Sequence, residues 1–173
     1  MAYLSLESVN YPGRFIRHQN FLGELTPVQS ELDRNDATFD WWGDWRYGAE
    51  GKLRSINFPN HYLRHQNFRL KLHEIIYPFG GPPTPEVQLA ILDSTFTMVP
   101  GLTDPGNTRL ISLRSKNFPD RFIRHRNFNL WVEPADSQLA REDATFRIRA
   151  PFVPEPPGPR WNTYNNYGSG ANT

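Results

Sequence analysis

Residues 112–128 read SLRSKNFPDRFIRHRNF, and nearly the same words stand twice more, as SLESVNYPGRFIRHQNF at 5–21 and LRSINFPNHYLRHQNF at 53–68. Aligned without gaps, the three share the frame S-x-N-[FY]-P-x-x-[FY]-[IL]-R-H-x-N-F, which places His18, His65 and His125 in register. A second signature, Asp-[Ala/Ser]-Thr-Phe, starts at Asp36, Asp93 and Asp143. It begins 15 residues after the motif phenylalanine in the first and third copies and 25 after it in the second. There YPFGGPPTPEVQ at 77–88 reads as an inserted, extended loop, since Pro and Gly at that density break regular structure. Self-similarity at a period of tens of residues is the mark of a repeat architecture.

Each copy divides into four strand candidates. In the third they are Leu110–Arg114, Arg121–His125, Asn129–Glu133 and Ala144–Arg149, all short, rich in aromatic and branched residues, and separated by Asn, Asp and Pro turn signals. No helical periodicity of useful length is present. Three repeats of four strands predict an all-β chain of twelve strands, a pseudo-threefold barrel with a hairpin cap, which is the β-trefoil. A propeller needs at least about four blades, and a solenoid stacks its repeats without closing. The predicted module covers 3–150, with repeats at about 3–50, 51–108 and 109–150. Beyond it, PFVPEPPGPRWNTYNNYGSGANT reads as a Pro-rich linker and tail, 151–173, that docks in part through Trp161 and Tyr164.

Composition narrows the function classes. A length of 173 residues suits one domain with a proper core. Aromatic content of 14%, with 16 Pro and 12 Gly, fits short strands joined by turns. A net charge of +1 gives no electrostatic case for nucleic acid or an anionic membrane surface. No apolar run approaches the roughly 20 residues that span a bilayer. With no cysteine there is neither a disulfide framework nor a thiolate metal site. One His and one Asp per repeat supply too few ligands for zinc, so neither metal nor cofactor is expected. The Met-Ala-Tyr-Leu-Ser start lacks the features of a signal peptide, which fits either an intracellular protein or a module taken from a longer secreted chain.

Repetition of core residues needs only packing, whereas repeated polar residues need a structural bond or a ligand. The pairs His18 with Asp36, His65 with Asp93 and His125 with Asp143 combine a two-oxygen acceptor with an imidazole donor or acceptor, which suits a small polyol; an aspartate capping its own turn is the structural alternative. Arg17, Arg64 and Arg124 fall on the opposite strand face and read as structural partners of carboxylates or carbonyls. Asn10, Asn57 and Asn117 precede proline, where backbone reasons suffice. Asn20, Asn67 and Asn127 fit either role. Phe15 and Phe122 read as core, while Tyr62, with its hydroxyl, is the ligand candidate at that position. Trp41, Trp42 and Trp45, in DWWGDWRYG, either cover the barrel end or form a stacking platform for sugar rings.

FIRHQNF, YLRHQNF and FIRHRNF, with DATF, DSTF and DATF, resemble the arabinose-binding domain of α-L-arabinofuranosidase B, carbohydrate-binding module family 42. The resemblance spans all three repeats with two motifs in each. It implies a β-trefoil appended to a secreted hydrolase of plant cell-wall arabinoxylan or arabinan, hence an extracellular, monomeric module of a larger chain. It also implies arabinofuranose pockets, one per repeat, lined by the three His–Asp pairs. The second copy departs from the pattern, with Ser94 for alanine and ten extra residues before Asp93; the first has Glu7 where the others have Arg54 and Arg114. Two rivals remain. An arabinofuranosidase normally needs two carboxylates at one site, and each repeat offers one. A trefoil lectin for another sugar would carry Gln-x-Trp repeats, which are missing here.

Overall fold

The computed structural model describes residues 2–157. The first repeat holds β1 (Ala2–Ser8), β2 (Phe15–Gln19), β3 (Leu22–Thr26), α1 (Glu31–Asp36) and β4 (Phe39–Gly43). The second holds β5 (Glu50–Ser55), β6 (His61–Gln66), β7 (Arg69–Glu74), α2 (Pro85–Asp93) and β8 (Phe96–Pro100). The third holds β9 (Leu110–Ser115), β10 (Arg121–Arg126), β11 (Asn129–Pro134), α3 (Gln138–Asp143) and β12 (Phe146–Arg149).

The first and last strands of each repeat pair antiparallel around a closed ring, β1–β4–β5–β8–β9–β12 and back to β1. Closure leaves this six-stranded barrel with no free edge. The middle strands form hairpins β2–β3, β6–β7 and β10–β11 at the barrel end where β1, β5 and β9 finish. The hairpins meet one another through Leu22 with Lys71, Arg69 with Trp131 and Glu24 with Asn129, closing a triangular cap. This is the β-trefoil.

The core repeats with the sequence. Leu6, Leu53 and Leu113 form one buried set, Ile16, Leu63 and Ile123 another, and Phe39, Phe96 and Phe146 a third. In the cap, Gly23 stands where the other repeats carry Leu70 and Leu130. A Cβ on Gly23 would lie 3.1 Å from Leu70 Cβ and 3.3 Å from Leu130 Cδ1, so two leucines already fill that layer.

The three short helices correct the helix-free reading. Each ends on the motif aspartate, and six to nine residues are too few to show a 3.6-residue period. Their caps are nevertheless written in the chain. Ser30 and Asp33 form a reciprocal capping box, Ser137 caps α3, and Thr84 caps α2 with Pro85 at its first position. The 77–88 insertion is therefore extended only to its Thr84 cap. Likewise Ala144 is the C-cap of α3, and the strand expected from that residue starts at Phe146.

Residues 152–155 lie against the first repeat. Phe152 packs edge-on to Phe15 at 4.7 Å, Val153 N–H donates to Thr38 Oγ1, and Glu155 accepts from Tyr3 N–H at 2.7 Å. Within the expected linker, Phe152, Val153 and Glu155 thus strap the chain to the module. The expected docking through Trp161 and Tyr164 lies outside the described residues.

Candidate functional site at the repeat seams

Each hairpin of the frame turns on two residues with positive φ: Asn20 and Phe21 at 52° and 60°, Asn67 and Phe68 at 51° and 62°, Asn127 and Phe128 at 53° and 61°. That pair of angles is the two-residue hairpin turn that favours asparagine first, which gives these asparagines a backbone reason. A phenylalanine at positive φ is strained. Tertiary contacts hold it there. The Phe21, Phe68 and Phe128 carbonyls accept from Leu72, Val132 and Leu25 N–H, each at 2.8 Å and each in the next repeat round the ring. Their rings meet Phe58, Phe118 and Tyr11, again of the next repeat, at 5.1, 5.1 and 5.2 Å. The wall phenylalanines also carry a cationic or titratable neighbour: the Arg121 guanidinium lies 3.8 Å from the Phe68 centroid, Arg14 lies 3.9 Å from Phe128, and His61 stands beside Phe21.

Under these walls lie the motif polar residues, and every group of them straddles two repeats. Asn57 Nδ2 donates to Asp36 Oδ1, Asn117 to Asp93 and Asn10 to Asp143, all at 2.8 Å. The oxygen of each asparagine faces the histidine: His18 Nε2 at 3.1 Å, His65 at 3.0 Å and His125 at 2.9 Å. Because the amide N–H is committed to the aspartate, Nε2 must donate, and the neutral ring keeps an acceptor at Nδ1. Ser55, Ser115 and Ser8 donate to the same asparagine oxygens and accept the N–H of Phe58, Phe118 and Tyr11.

The opposite oxygen of each aspartate takes an arginine. Arg17 Nη2 donates to Asp36 Oδ2 at 2.6 Å, and Arg64 and Arg124 bond Asp93 and Asp143 in the same way. Alternation does separate Arg from His along the strand, yet both converge on one carboxylate at the helix end. The reading of Asn10, Asn57 and Asn117 as turn residues alone gives way too, because their side chains cross-link neighbouring repeats. Nothing in a single repeat signals this, since the partner stands some 20 to 130 positions away.

The floor is deeply buried: the histidines are 2–3% exposed and the aspartates 4%. At the third seam a depression of about 280 Å³ reaches it, with His125 and Asp143 below and Tyr11, Asn127, Phe128 and Leu139 around it. Tyr11, 45% exposed, is the aromatic residue with a hydroxyl at this rim; Phe58 and Phe118 hold the matching positions elsewhere. Tyr62 does not reach a seam. It is buried with Ile75 and Ala90 and faces Trp42, so it sits in a side cluster away from the depression. Asn20 and Asn67 stay in their turns.

The second seam's departures compensate one another. Ser5 and Ser112 hydroxyls donate to the carbonyls of Ala37 and Ala144. At the matching place Lys52 Nζ reaches Ile91 O, Ser94 Oγ and Thr95 Oγ1, so Ser94 belongs to a lysine cap on the longer helix. Arg64 also finds a different outer partner. Its Nη1 meets His73 Nδ1 at 2.9 Å, whereas Arg17 Nη1 meets Asp33 at 2.7 Å.

The tryptophan cluster divides. Trp41 is fully buried in the core, Trp42 bonds Asp40 on the barrel side, and Trp45 is half exposed at the end opposite the hairpins.

Burial lowers the pKa of His18, His65 and His125, with the nearby aspartate pulling the other way. In the unfolded chain they titrate near 6.5. As pH falls through that value the unfolded state takes up protons that the folded state refuses. Stability present above about pH 6.5 is therefore lost on acidification until the depressed folded values are reached, by at most about 1.4 kcal/mol per pH unit for each histidine. We expect the melting temperature to fall from pH 7 to pH 5, with a shallower fall in a His125→Gln variant. An unchanged slope in that variant would mean that other groups set the acid limit.

The repeated motifs and the seam geometry agree with a comparison across protein families. The alpha-L-arabinofuranosidase B (ABFB) domain description matches residues 1–77 and 85–159. The chain belongs to the ABFB domain family. The break in the match, 78–84, falls inside the inserted loop, so the ABFB frame itself is complete. No curated protein sequence matches. Among solved structures, a GH54 α-L-arabinofuranosidase soaked with a cyclic sulfate inhibitor superposes with a TM-score of 0.68 at 23% identity, covering 88% of this chain and 31% of that one. An arabinofuranosidase complexed with arabinofuranosyl-α-1,2-xylobiose gives 0.67 at 23%, covering 87% and 31%. The BEL β-trefoil gives 0.56 at 13%, covering 86% and 92%. This ABFB chain thus spans about a third of the arabinofuranosidases it resembles.

Proposed function

We propose that this ABFB domain is a non-catalytic, extracellular carbohydrate-binding module that takes arabinofuranose side chains of arabinoxylan or arabinan in its seam pockets, as a monomeric unit of a larger plant cell-wall hydrolase. The observation that carries the reading is the third seam. There an aromatic-walled depression ends on a buried imidazole and carboxylate, and the same floor residues recur at the other two seams. A furanose presents a small apolar edge to the aromatic walls and hydroxyls to the floor, the division that sugar-sized sites use. Membership of the family supports arabinose as the sugar, and the xylobiose-linked arabinofuranose in a structural relative supports a side chain on a xylan backbone.

The geometry speaks against hydrolysis at the seams. Glycosidases set two carboxylates about 5–10 Å apart with separate acid and base or nucleophile duties. Each seam has one repeated carboxylate, already held by an arginine and an asparagine. A single pocket should bind weakly, at about millimolar to high micromolar Kd, and several pockets on one rigid barrel raise avidity for a decorated polymer. Affinity electrophoresis tests this. Retardation on arabinoxylan should exceed that on the enzymatically debranched xylan, and methyl α-L-arabinofuranoside should abolish the excess. Equal retardation on both polymers would overturn the pocket reading.

A further inference from the structure

The end of the barrel opposite the hairpins carries a recess of about 310 Å³ that breaks the threefold pattern. Its floor is apolar, made by Met98 and Ile111, both buried, and half-buried Ile148. Its rim comes from the first-copy loop 44–49, which brings Trp45, Arg46 and Tyr47, and from Thr108 across the mouth. That loop is pinned at several points. Trp41 Nε1 donates to Asp44 O, Tyr47 Oη to Leu110 O, Gly48 N to Met98 O and Ala49 N to Arg46 O. Gly48 makes the return at a φ of 87°, a conformation that needs glycine.

Trp45 is nevertheless 51% exposed. A fixed loop holds a large aromatic ring half in water beside an apolar recess, which forgoes burial the ring would gain by folding inward. The rim's charges are balanced, with Arg46 Nη2 3.6 Å from Asp44 Oδ2, so nothing selects an anion. The Tyr47 hydroxyl hydrogen is already spent on a backbone carbonyl. What fits is a neutral ring with an apolar face of C–H groups and a polar edge, at a size of about one sugar unit and far below a protein interface.

We propose that this recess binds a pyranose unit in the main chain of a polysaccharide, with the ring's apolar face on Trp45 and its hydroxyls toward Arg46 and Thr108. The site goes beyond the seam pockets and does not depend on them: they take a furanose side chain, whereas the recess takes the backbone.

Calorimetric titration of the full chain with xylohexaose and with cellohexaose, neither of which carries a furanose, tests it. Saturable binding of at least one is expected, with Kd of about 0.1–1 mM. Trp45→Ala should weaken it at least about tenfold, and Thr108→Trp, which fills the recess from its exposed rim, should do the same. Both variants should keep the parent's melting temperature and its response to methyl α-L-arabinofuranoside. The proposal falls if neither hexaose binds, if both variants bind like the parent, or if the recess is filled by a second copy, seen as self-association that Trp45→Ala abolishes and sugar does not reverse. Lost response to the arabinofuranoside in the parent, with hexaose binding intact, would strike the seam pockets and uphold the recess.

Discussion

Asp36→Ala should lower the free energy of unfolding by about 3–5 kcal/mol, the range for removing one partner of a buried ion pair. Arg17 is 3% exposed, and its Nη2 has Asp36 as acceptor. Without the carboxylate a guanidinium edge and the Asn57 amide are left buried without that acceptor, and one of the bonds between first and second repeats goes with them. Asp36→Asn keeps an acceptor and should cost less. Asp33→Ala is the control on the same arginine: it removes a more exposed partner and a capping-box member, for about 0.5–2 kcal/mol. Urea denaturation of the three variants checks the order, and a loss below about 1 kcal/mol for Asp36→Ala would mean that the seam network does not hold the ring closed. The motif aspartates are therefore poor reporters of the proposed binding, because their removal weakens the fold and the seam floor together. Tyr11, on the exposed rim, is the cleaner position.

The second large effect belongs to Trp41. Trp41→Ala should cost about 3–5 kcal/mol, as expected for emptying a packed aromatic site. The ring is fully buried, and the barrel is built around it. A Cβ on Gly51 would stand 2.4 Å from Trp41 Cζ2, so that glycine makes room for the indole, whereas a Cβ on Gly43 would first meet the neighbouring strand's backbone, 2.5 Å from Glu50 O. The same side chain holds Asp44 O, the first anchor of the loop that carries Trp45. Its loss should also raise hydrogen exchange across 44–49, measurable by mass spectrometry. Exchange there that matches the parent would show that the remaining anchors fix the loop by themselves.

The sequence by itself determined the number of repeats, their phase and the all-β class, because a chain of short apolar strands repeated three times buries its faces by closing on itself. Hydrophobic alternation and turn chemistry act over a few residues, so β2 at Phe15–Gln19 or the Asn20 turn is legible locally. The motif His and Asp stood out for the same reason, being fixed in every copy. The helices escaped because six to nine residues are too few to show a period, although Ser30, Thr84 and Ser137 marked where they start. Only the tertiary structure decided what the polar residues share. The seam is made between copies, so Asn57 belongs to the site of His18 and Asn10 to that of His125, a partnership that closes through the ring and leaves no trace in the spacing within a repeat. It also separated Tyr62, the tyrosine that the sequence singled out, from Tyr11, which it did not. Both offer a hydroxyl, but which face of a strand the helix α2 covers is a question of packing at long range, and packing put Tyr62 in the interior and Tyr11 at the rim.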